Sequence, residues 1–156
     1  MIREFEKYHG VVLRELVVAS GVAGVELRTE DHFGRVNSFL VNNHVGLHIK
    51  HSGKRLPPWQ FTFDYENCSE LAELAGHTTT VVIALVCGID GFVCVPHEEF
   101  LSMTDDCGAT AFLRVDRDKR SMYRVHGNKP TEISPKARGF QRLEEIFQRN
   151  LEGDRG

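Results

Sequence analysis

The sequence predicts an α/β (α+β) fold, in which a mixed central sheet contains an N-terminal hairpin and is flanked by helices. Three observations support this prediction. Apolar residues recur at helical spacing over residues 4–19, two strand-like runs joined by Asn-Asn occupy residues 35–51, and an almost unbroken apolar run fills residues 79–87. These patterns are typical of an amphipathic helix, a β-hairpin and a strand buried on both faces. Together they indicate a mixed sheet covered by helices.

The N-terminal segment is predicted to be a helix followed by a short strand. Its apolar side chains are spaced three or four residues apart, which puts them on one face: Phe5, Tyr8, Val12, Leu16 and Ala19. Gly21 is a helix stop signal. Residues 24–28 alternate apolar and polar side chains, which is typical of a strand, and residues 30–34 are predicted to be a loop.

The hairpin is predicted to have arms at residues 36–41 and 45–51. Asn42 and Asn43 suit a tight turn, because asparagine tolerates positive φ better than most residues. In the second arm apolar and polar residues alternate, so one face is apolar and the other presents His48 and Lys50.

A basic loop then leads to a third strand, residues 59–63, whose alternation favours a core position for Trp59, Phe61 and Phe63. Asn67, with Glu70 three residues later, predicts the N-cap of a helix that ends near Gly76. The remaining predicted elements are a strand at 92–95, a helix at 96–103, a hairpin with arms 111–115 and 122–125, and a helix at 142–151. With 156 residues the chain is long enough for one domain, predicted over 1–150 with a flexible tail at 151–156.

Charge is distributed unevenly along the chain, although the formal net charge is only −3. Residues 32–63 carry four basic and no acidic residues, whereas residues 64–113 carry nine acidic residues and no lysine or arginine. Such asymmetry can mark a binding face, or the blocks can interleave in space and cancel. The chain has no apolar run of the roughly 20 residues that a membrane-spanning helix needs and no apolar signal core, so we expect a cytoplasmic protein without a membrane partner.

Four cysteines, at positions 68, 87, 94 and 107, include no CxxC pair. In a reducing cytosol they are most simply explained as small buried apolar side chains. A zinc site formed by Cys87, Cys94 and His97 is the alternative, but their spacing matches no compact zinc motif. We therefore predict no metal ligands from the sequence.

The strongest local signal for a binding site is the segment 48–59, in which basic residues stand beside Trp59 with no acid nearby. Cationic side chains neutralise phosphates, and flat rings stack on bases, so this composition favours nucleic acid. A second basic cluster follows at 114–129, where a hairpin could put two arginines side by side. The predicted binding residues are Lys50, His51, Lys54, Arg55, Arg114 and Arg124. The alternative to a binding role is that the first hairpin is solvated and that the arginines of the hairpin at 111–125 pair with acids across it.

The element order helix-strand-strand-strand-helix-strand over residues 4–86 resembles the core of the PD-(D/E)xK nuclease superfamily. That resemblance implies metal-dependent cleavage of nucleic acid with Mg²⁺ held by carboxylates. On the hairpin arm the motif would read His48-Ile49-Lys50, with histidine in place of the acid, and the first-motif position would lie near Asn37. On the next strand it would read Gln60-Phe61-Thr62, without acid or lysine. The catalytic candidates that the resemblance implies are therefore His48 and Lys50.

Three functions follow as expectations. The first is an α/β domain whose basic hairpin and loop bind nucleic acid or another anion. The second is a metal-dependent nuclease with a degenerate site, for which the cofactor would be Mg²⁺. The third is a protein-interaction module that forms homo-oligomers when the acidic block of one copy meets a basic block of another.

Overall fold

A computed structural model describes residues 1–32, 34–104, 111–131 and 135–140. Within these ranges the chain forms three α-helices and eight β-strands. The helices are α1 (Glu4–Ser20), α2 (Tyr65–His77) and α3 (His97–Met103). The strands are β1 (Leu27–His32), β2 (Arg35–Val41), β3 (Val45–Ser52), β4 (Trp59–Phe63), β5 (Thr80–Cys87), β6 (Gly91–Pro96), β7 (Ala111–Asp116) and β8 (Arg124–Gly127).

Five strands form a mixed sheet in the order β1-β2-β3-β5-β6. Strands β3 and β5 run parallel, and the other neighbouring pairs are antiparallel. This confirms the mixed central sheet with its hairpin and flanking helices. The remaining strands form a separate antiparallel sheet, β4-β7-β8, which the sequence did not predict. Alternation records which face of a strand is buried, but not which strand lies beside it.

Two apolar cores lie on the two faces of the five-stranded sheet. On one face, alternate side chains of β3 pack against Val12 and Leu16 of α1. On the other face, α2, α3 and the three-stranded sheet cover β5 and β6. Trp59, Phe61 and Phe63 point into this second core with no more than 2% of their surface exposed, as predicted. Strand β5 contributes to both cores, which explains its continuous apolar sequence.

The predicted hairpin turn is confirmed, because Asn42 and Asn43 have φ values of 51° and 60°. The predicted first strand is displaced. It begins at Leu27 rather than at residue 24 and continues through residues that were expected to form a loop. Pairing with β2 holds this segment extended despite its polar composition, and one edge of the sheet is therefore a strand with charged side chains.

The predicted N-cap of α2 is wrong. Asp64 is the N-cap, and its carboxylate accepts a hydrogen bond from the Asn67 backbone amide at 2.8 Å. The Asn67 side chain completes the capping box by accepting from the Asp64 backbone amide at 3.1 Å. Asn67 is therefore the N3 residue, which leaves Glu70 without the predicted capping role.

The other predicted elements differ from the structure by one or two residues at their ends, as is usual for element boundaries. The predicted helix at 142–151 and the tail at 151–156 lie outside the described residues. Of the helices in the described ranges, none combines the length and apolar composition needed to span a bilayer.

Candidate functional sites

A pocket of about 300 Å³ opens where the start of β2 and the end of β3 meet the beginning of α2. We call it the Lys50 pocket. It is lined by Arg35, Asn37, His48, Ile49, Lys50, His51, Thr62, Asp64 and Asn67. Three of the predicted site residues, His48, Lys50 and His51, thus meet residues from β2, β4 and α2 that lie far away in the sequence.

A bulge in the β1–β2 pairing contributes to the wall of the pocket. Glu30 pairs with Ser38, but Asp31 pairs with Val36, so that Asn37 is an extra residue in β2. An extra residue breaks the alternation of side chains and re-aims its neighbours. Asn37 consequently lines the same pocket as Lys50, which lies on the adjacent strand.

Lys50 connects three elements. Its ammonium donates hydrogen bonds to the Thr62 carbonyl oxygen of β4 and to Asn67 Oδ1 of α2, the latter at 3.0 Å. It also lies over the Phe63 ring, 4.6 Å from the centroid. Burial lowers the pKa of Lys50 from 10.5 to about 8, despite the attraction of Asp64 and Glu70. The pocket therefore holds an amine that is mostly charged at neutral pH but loses its proton readily.

Beneath the pocket lies a buried network of Ser38, His48 and Glu70. The Ser38 hydroxyl donates to Glu70 Oε1 at 2.7 Å and lies 2.9 Å from His48 Nδ1. Since a hydroxyl has one proton, Nδ1 is the donor in the second hydrogen bond. The imidazole of His48 and the carboxylate of Glu70 are no more than 3% exposed. The arrangement ties the hairpin to α2.

His48 and His51 face opposite sides of β3, as their odd spacing on a strand requires. His48 faces α2, whereas His51 stacks on Tyr8 of α1 with ring centroids 4.9 Å apart. Burial lowers the pKa of His51, although Glu4 opposes this effect. His48 is completely buried, so the interpretation of this hairpin face as solvated is wrong. The physical reason is that β3 lies between β2 and β5 and is covered by α2.

Carboxylates do converge on the predicted catalytic pair, but they do not form a metal centre. Glu70 Oε1 lies 3.8 Å from His48 Nδ1, and Asp64 lines the pocket beside Lys50. Glu70 accepts from Ser38, and Asp64 caps α2. Across the described ranges, no three His, Cys, Asp or Glu side chains are placed to hold a metal ion. The residues present therefore do not fit Mg²⁺, which prefers several oxygen ligands.

A second concavity, of about 410 Å³, lies at the other end of β4. We call it the loop-end cavity. The loop before β4 and the loop after β7 face each other across it, because Trp59 pairs with Val115 in the three-stranded sheet. Its lining residues are Leu56, Pro57, Trp59, Asp90, Arg117, Asp118, Lys119 and Arg120. The predicted binding residues Lys54 and Arg55 are exposed on the first of these loops.

The first loop is held in place by its own backbone contacts. Trp59 Nε1 donates to the Lys54 carbonyl oxygen at 2.8 Å, and Lys54 Nζ donates to the Pro58 carbonyl oxygen at 3.1 Å. Gly88 has a φ of +54°, and a β-carbon there would clash with the Lys54 carbonyl oxygen. Only glycine fits at this close approach. The cavity wall is therefore defined before any ligand binds.

The second loop is anchored by an ion pair. Arg117 lies 2.7 Å from Asp90 Oδ2, which also accepts from the Tyr123 hydroxyl at 2.5 Å. Burial alone would raise the pKa of Asp90, but the hydrogen bonds from Tyr123 and Arg117 outweigh it and lower the pKa. Lys119 and Arg120 are exposed at the tip, where Arg120 has a φ of 63°.

Arg114 and Arg124 lie on the outer face of the three-stranded sheet but are not directly opposite each other. Arg114 pairs with His126, and Arg124 pairs with Asp116 and lies 3.4 Å from Asp118. The two arginines are therefore diagonal neighbours on one face, and the charge pairing that was the alternative is present for Arg124. The six predicted binding residues occupy the Lys50 pocket, the loop before the loop-end cavity and this outer sheet face.

The zinc alternative is excluded by the sheet. Cys87 points into the core beneath the three-stranded sheet, and Cys94 points into the core beneath α1. Side chains on opposite faces cannot share one ion. Both are buried free thiols, as predicted, and burial raises the pKa of each. Cys68 is also buried as predicted, but it is disulfide-bonded rather than a free thiol.

The charge blocks partly cancel within the fold. Asp90 and Glu99 belong to the acidic block, and they pair with Arg117 at 2.7 Å and with Lys136 at 2.6 Å. Lys136 is only 5% exposed. These two acids are neutralised inside one chain, so they are not available to a second copy.

Sequence reasoning missed Ser38 and the contact of Glu70 with it. A signal for Ser38 was present, because predicted arms at 36–41 and 45–51 put Ser38 directly opposite His48. Glu70 had no such signal, since its contact depends on how α2 packs on the sheet.

The comparisons with known proteins add no family: no protein-family model, no curated protein and no solved structure matches the chain.

Proposed function

We propose that the protein binds nucleic acid, or a comparable polyanion, through the basic loops around the loop-end cavity. The observation that carries the proposal is that two basic segments, about 60 residues apart in the sequence, face each other across one concavity. Arg117, Lys119 and Arg120 line it from one loop, while Lys54 and Arg55 stand on the other. Paired cationic loops of this kind neutralise successive phosphates.

The local balance of charge supports this proposal. Of the two acids that line the cavity, Asp90 is paired with Arg117 at 2.7 Å and Asp118 with Arg124 at 3.4 Å, so Lys119 and Arg120 are not their ion-pair partners. Arg55, Lys119 and Arg120 are exposed. The outer sheet face extends the basic surface along β7 through Arg114, whereas Arg124 is paired with Asp118 at 3.4 Å.

A titration with fluorescently labelled single-stranded and double-stranded DNA tests the proposal. We expect binding that weakens by about tenfold or more between ~50 and ~200 mM salt. The variant Arg55→Ala/Lys119→Ala should bind more weakly. For a single strand, the slope of its log-affinity against log-salt should be shallower by about 0.7 for each phosphate that the variant no longer neutralises.

The matched control is Arg14→Ala/Arg28→Ala, which removes the same charge from α1 and β1. Both control arginines are exposed and lie outside the cavity lining. An affinity loss of equal size in the two variants would show that only net charge matters. Absence of salt-dependent binding would refute the proposal.

A nuclease is the second candidate, and the convergence of Asp64 and Glu70 on His48 and Lys50 is the observation that favours it. The element order α1-β1-β2-β3-α2-β5 within the five-stranded sheet also supports it, with β4, which lies between β3 and α2 in the chain, in the other sheet. The nuclease ranks below nucleic-acid binding because the residues of the Lys50 pocket do not fit Mg²⁺. Cleavage of DNA in Mg²⁺ or Mn²⁺ that persists in Lys50→Met would exclude this pocket as the active site.

Homo-oligomerisation through the charge blocks is a third proposal, and the internal pairs of Asp90 and Glu99 weaken it. Measuring the mass in solution at low and high salt separates it from the others, because charge-mediated assembly should dissociate as salt rises.

A further inference from the structure

The loop-end cavity combines an apolar wall with a cationic rim. Leu56 is 66% exposed although it is a large aliphatic side chain, and it lies beside Pro57 on the wall. Lys119 and Arg120 stand on the opposite loop. Phosphates alone would be bound by the cations and would leave the apolar wall in contact with water. The wall therefore indicates that the ligand brings an apolar surface as well as negative charge.

We propose that the loop-end cavity receives one unpaired base of a single-stranded nucleic acid, while the flanking phosphates bind Lys119 and Arg120. This inference rests on the proposed function and names the form of nucleic acid that it selects. The base would lie against Leu56 and Pro57, which offer an apolar contact. The phosphates on either side would meet the cations at the rim.

The size and rigidity of the cavity support a single base. A volume of about 410 Å³ lies near the lower end of the roughly 300–1,000 Å³ range of small-ligand pockets. Bases in a duplex are stacked and paired, so entering such a cavity would require a base to leave the stack at a cost of a few kcal/mol. A single strand does not incur the cost of unpairing. The contacts of Trp59 with Lys54 hold the wall in shape, which lowers the entropic cost of binding.

An acidic peptide is the main competing partner. A polyglutamate chain would satisfy Lys119 and Arg120, but it brings no flat ring to Leu56 and Pro57. Competition by polyglutamate is therefore one outcome of the test.

The test compares Leu56→Ala with the wild type on three probes of equal length. The probes are an oligothymidylate of about 12 nucleotides, the same oligothymidylate paired with its complement, and an abasic deoxyribose-phosphate chain. We expect Leu56→Ala to weaken binding of the oligothymidylate about fivefold, which corresponds to loss of part of the burial of one leucine. It should change binding of the abasic chain by less than about twofold, because that chain has no base to bury.

Leu101→Ala is the matched control, because Leu101 is a 52% exposed leucine on α3 that does not line the cavity. It should bind every probe as the wild type does. Both leucines are exposed, so neither substitution should affect folding, which urea denaturation verifies.

The inference and the proposed function fail in different ways. The inference is overturned, and the proposed function retained, if the duplex binds as tightly as the single strand. The same holds if Leu56→Ala weakens binding of the abasic chain as much as binding of the oligothymidylate. Competition by polyglutamate as effective as that by unlabelled oligothymidylate overturns it in favour of an acidic protein partner. Absence of binding to all three probes overturns the proposed function itself.

Discussion

Lys50 should make the stability of the protein rise between pH 8 and pH 10.5. Burial lowers the pKa of its ammonium to about 8 in the folded state, whereas the unfolded chain has the usual value of 10.5. Between these values the unfolded state binds more protons than the folded state, so the free energy of unfolding increases with pH. Below pH 8 Lys50 is charged in both the folded and the unfolded state, so the folded protein bears the full cost of desolvating the ammonium.

The size of this effect follows from the two pKa values. Each pH unit of difference corresponds to about 1.4 kcal/mol, so Lys50 should contribute a rise of about 3 kcal/mol across the window. Lys50→Met removes the ionisable group and keeps a side chain of similar length. The variant also lacks the hydrogen bonds to Thr62 and Asn67. Their loss lowers the stability of the variant. Because methionine does not ionise, the pH dependence of the difference in stability between wild type and variant comes from Lys50.

Urea denaturation of the wild type and Lys50→Met at intervals from pH 7 to pH 10.5 measures the effect. The wild type should gain stability relative to the variant as pH rises. Lys119→Met is the control, because it removes an exposed lysine and keeps Lys50, so its stability should rise with pH as that of the wild type does. A wild-type-minus-variant difference that stays constant within about 0.5 kcal/mol would refute the assignment of Lys50 as a desolvated lysine.

Three further predictions concern stability. Ser38→Ala should lower the free energy of unfolding by about 2 kcal/mol, because it removes two buried hydrogen bonds. Ser102 is exposed, so Ser102→Ala should have little effect. Equal losses of stability in urea denaturation of the two variants would contradict this prediction. Asp90→Asn should lose less stability than the wild type as pH falls below 3.8, the ordinary pKa of the carboxyl, since a carboxyl with a lowered pKa stabilises the fold only while ionised. Identical acid titrations of the two proteins by circular dichroism would contradict it. Gly88→Ala should lower the melting temperature, because the new β-carbon would meet the Lys54 carbonyl oxygen. Gly10 lies in a helix with open space around it, so Gly10→Ala should raise the free energy of unfolding by up to about 1 kcal/mol. Equal melting temperatures of the two variants would contradict both expectations.

Local patterns were sufficient for most elements of the fold. The alternation in β3 predicted its apolar face, the Asn-Asn pair predicted positive φ at the turn, and the apolar run of β5 predicted burial on both sides. Each of these signals arises from neighbours in the chain. The N-cap of α2 was predicted wrongly because Asp64 and Asn67 are both good capping residues, and only the backbone geometry decides which one caps.

The candidate sites were predicted only in part. Segment 48–59 and the second basic cluster were identified from composition, and the structure puts exposed cations of both segments beside the loop-end cavity. The lowered pKa of Lys50 could not be predicted, because it depends on burial under β4 and α2. Likewise, the pairing of Asp90 with Arg117 joins residues 27 positions apart, in the turn between β5 and β6 and in the loop after β7, which belong to different sheets.

The sequence alone determined which residues are apolar, where the strands and helices run and where positive charge is concentrated, because these properties depend on side-chain chemistry and on spacing of a few residues. Only the tertiary structure decided that His48 is buried with Ser38 and Glu70, that Lys50 lies in a polar pocket and that two basic loops share a cavity. Contacts of this kind join segments that are distant in the chain, and no local pattern encodes the packing that brings them together. The net charge of −3 is therefore less informative than the positions at which its opposing charges meet.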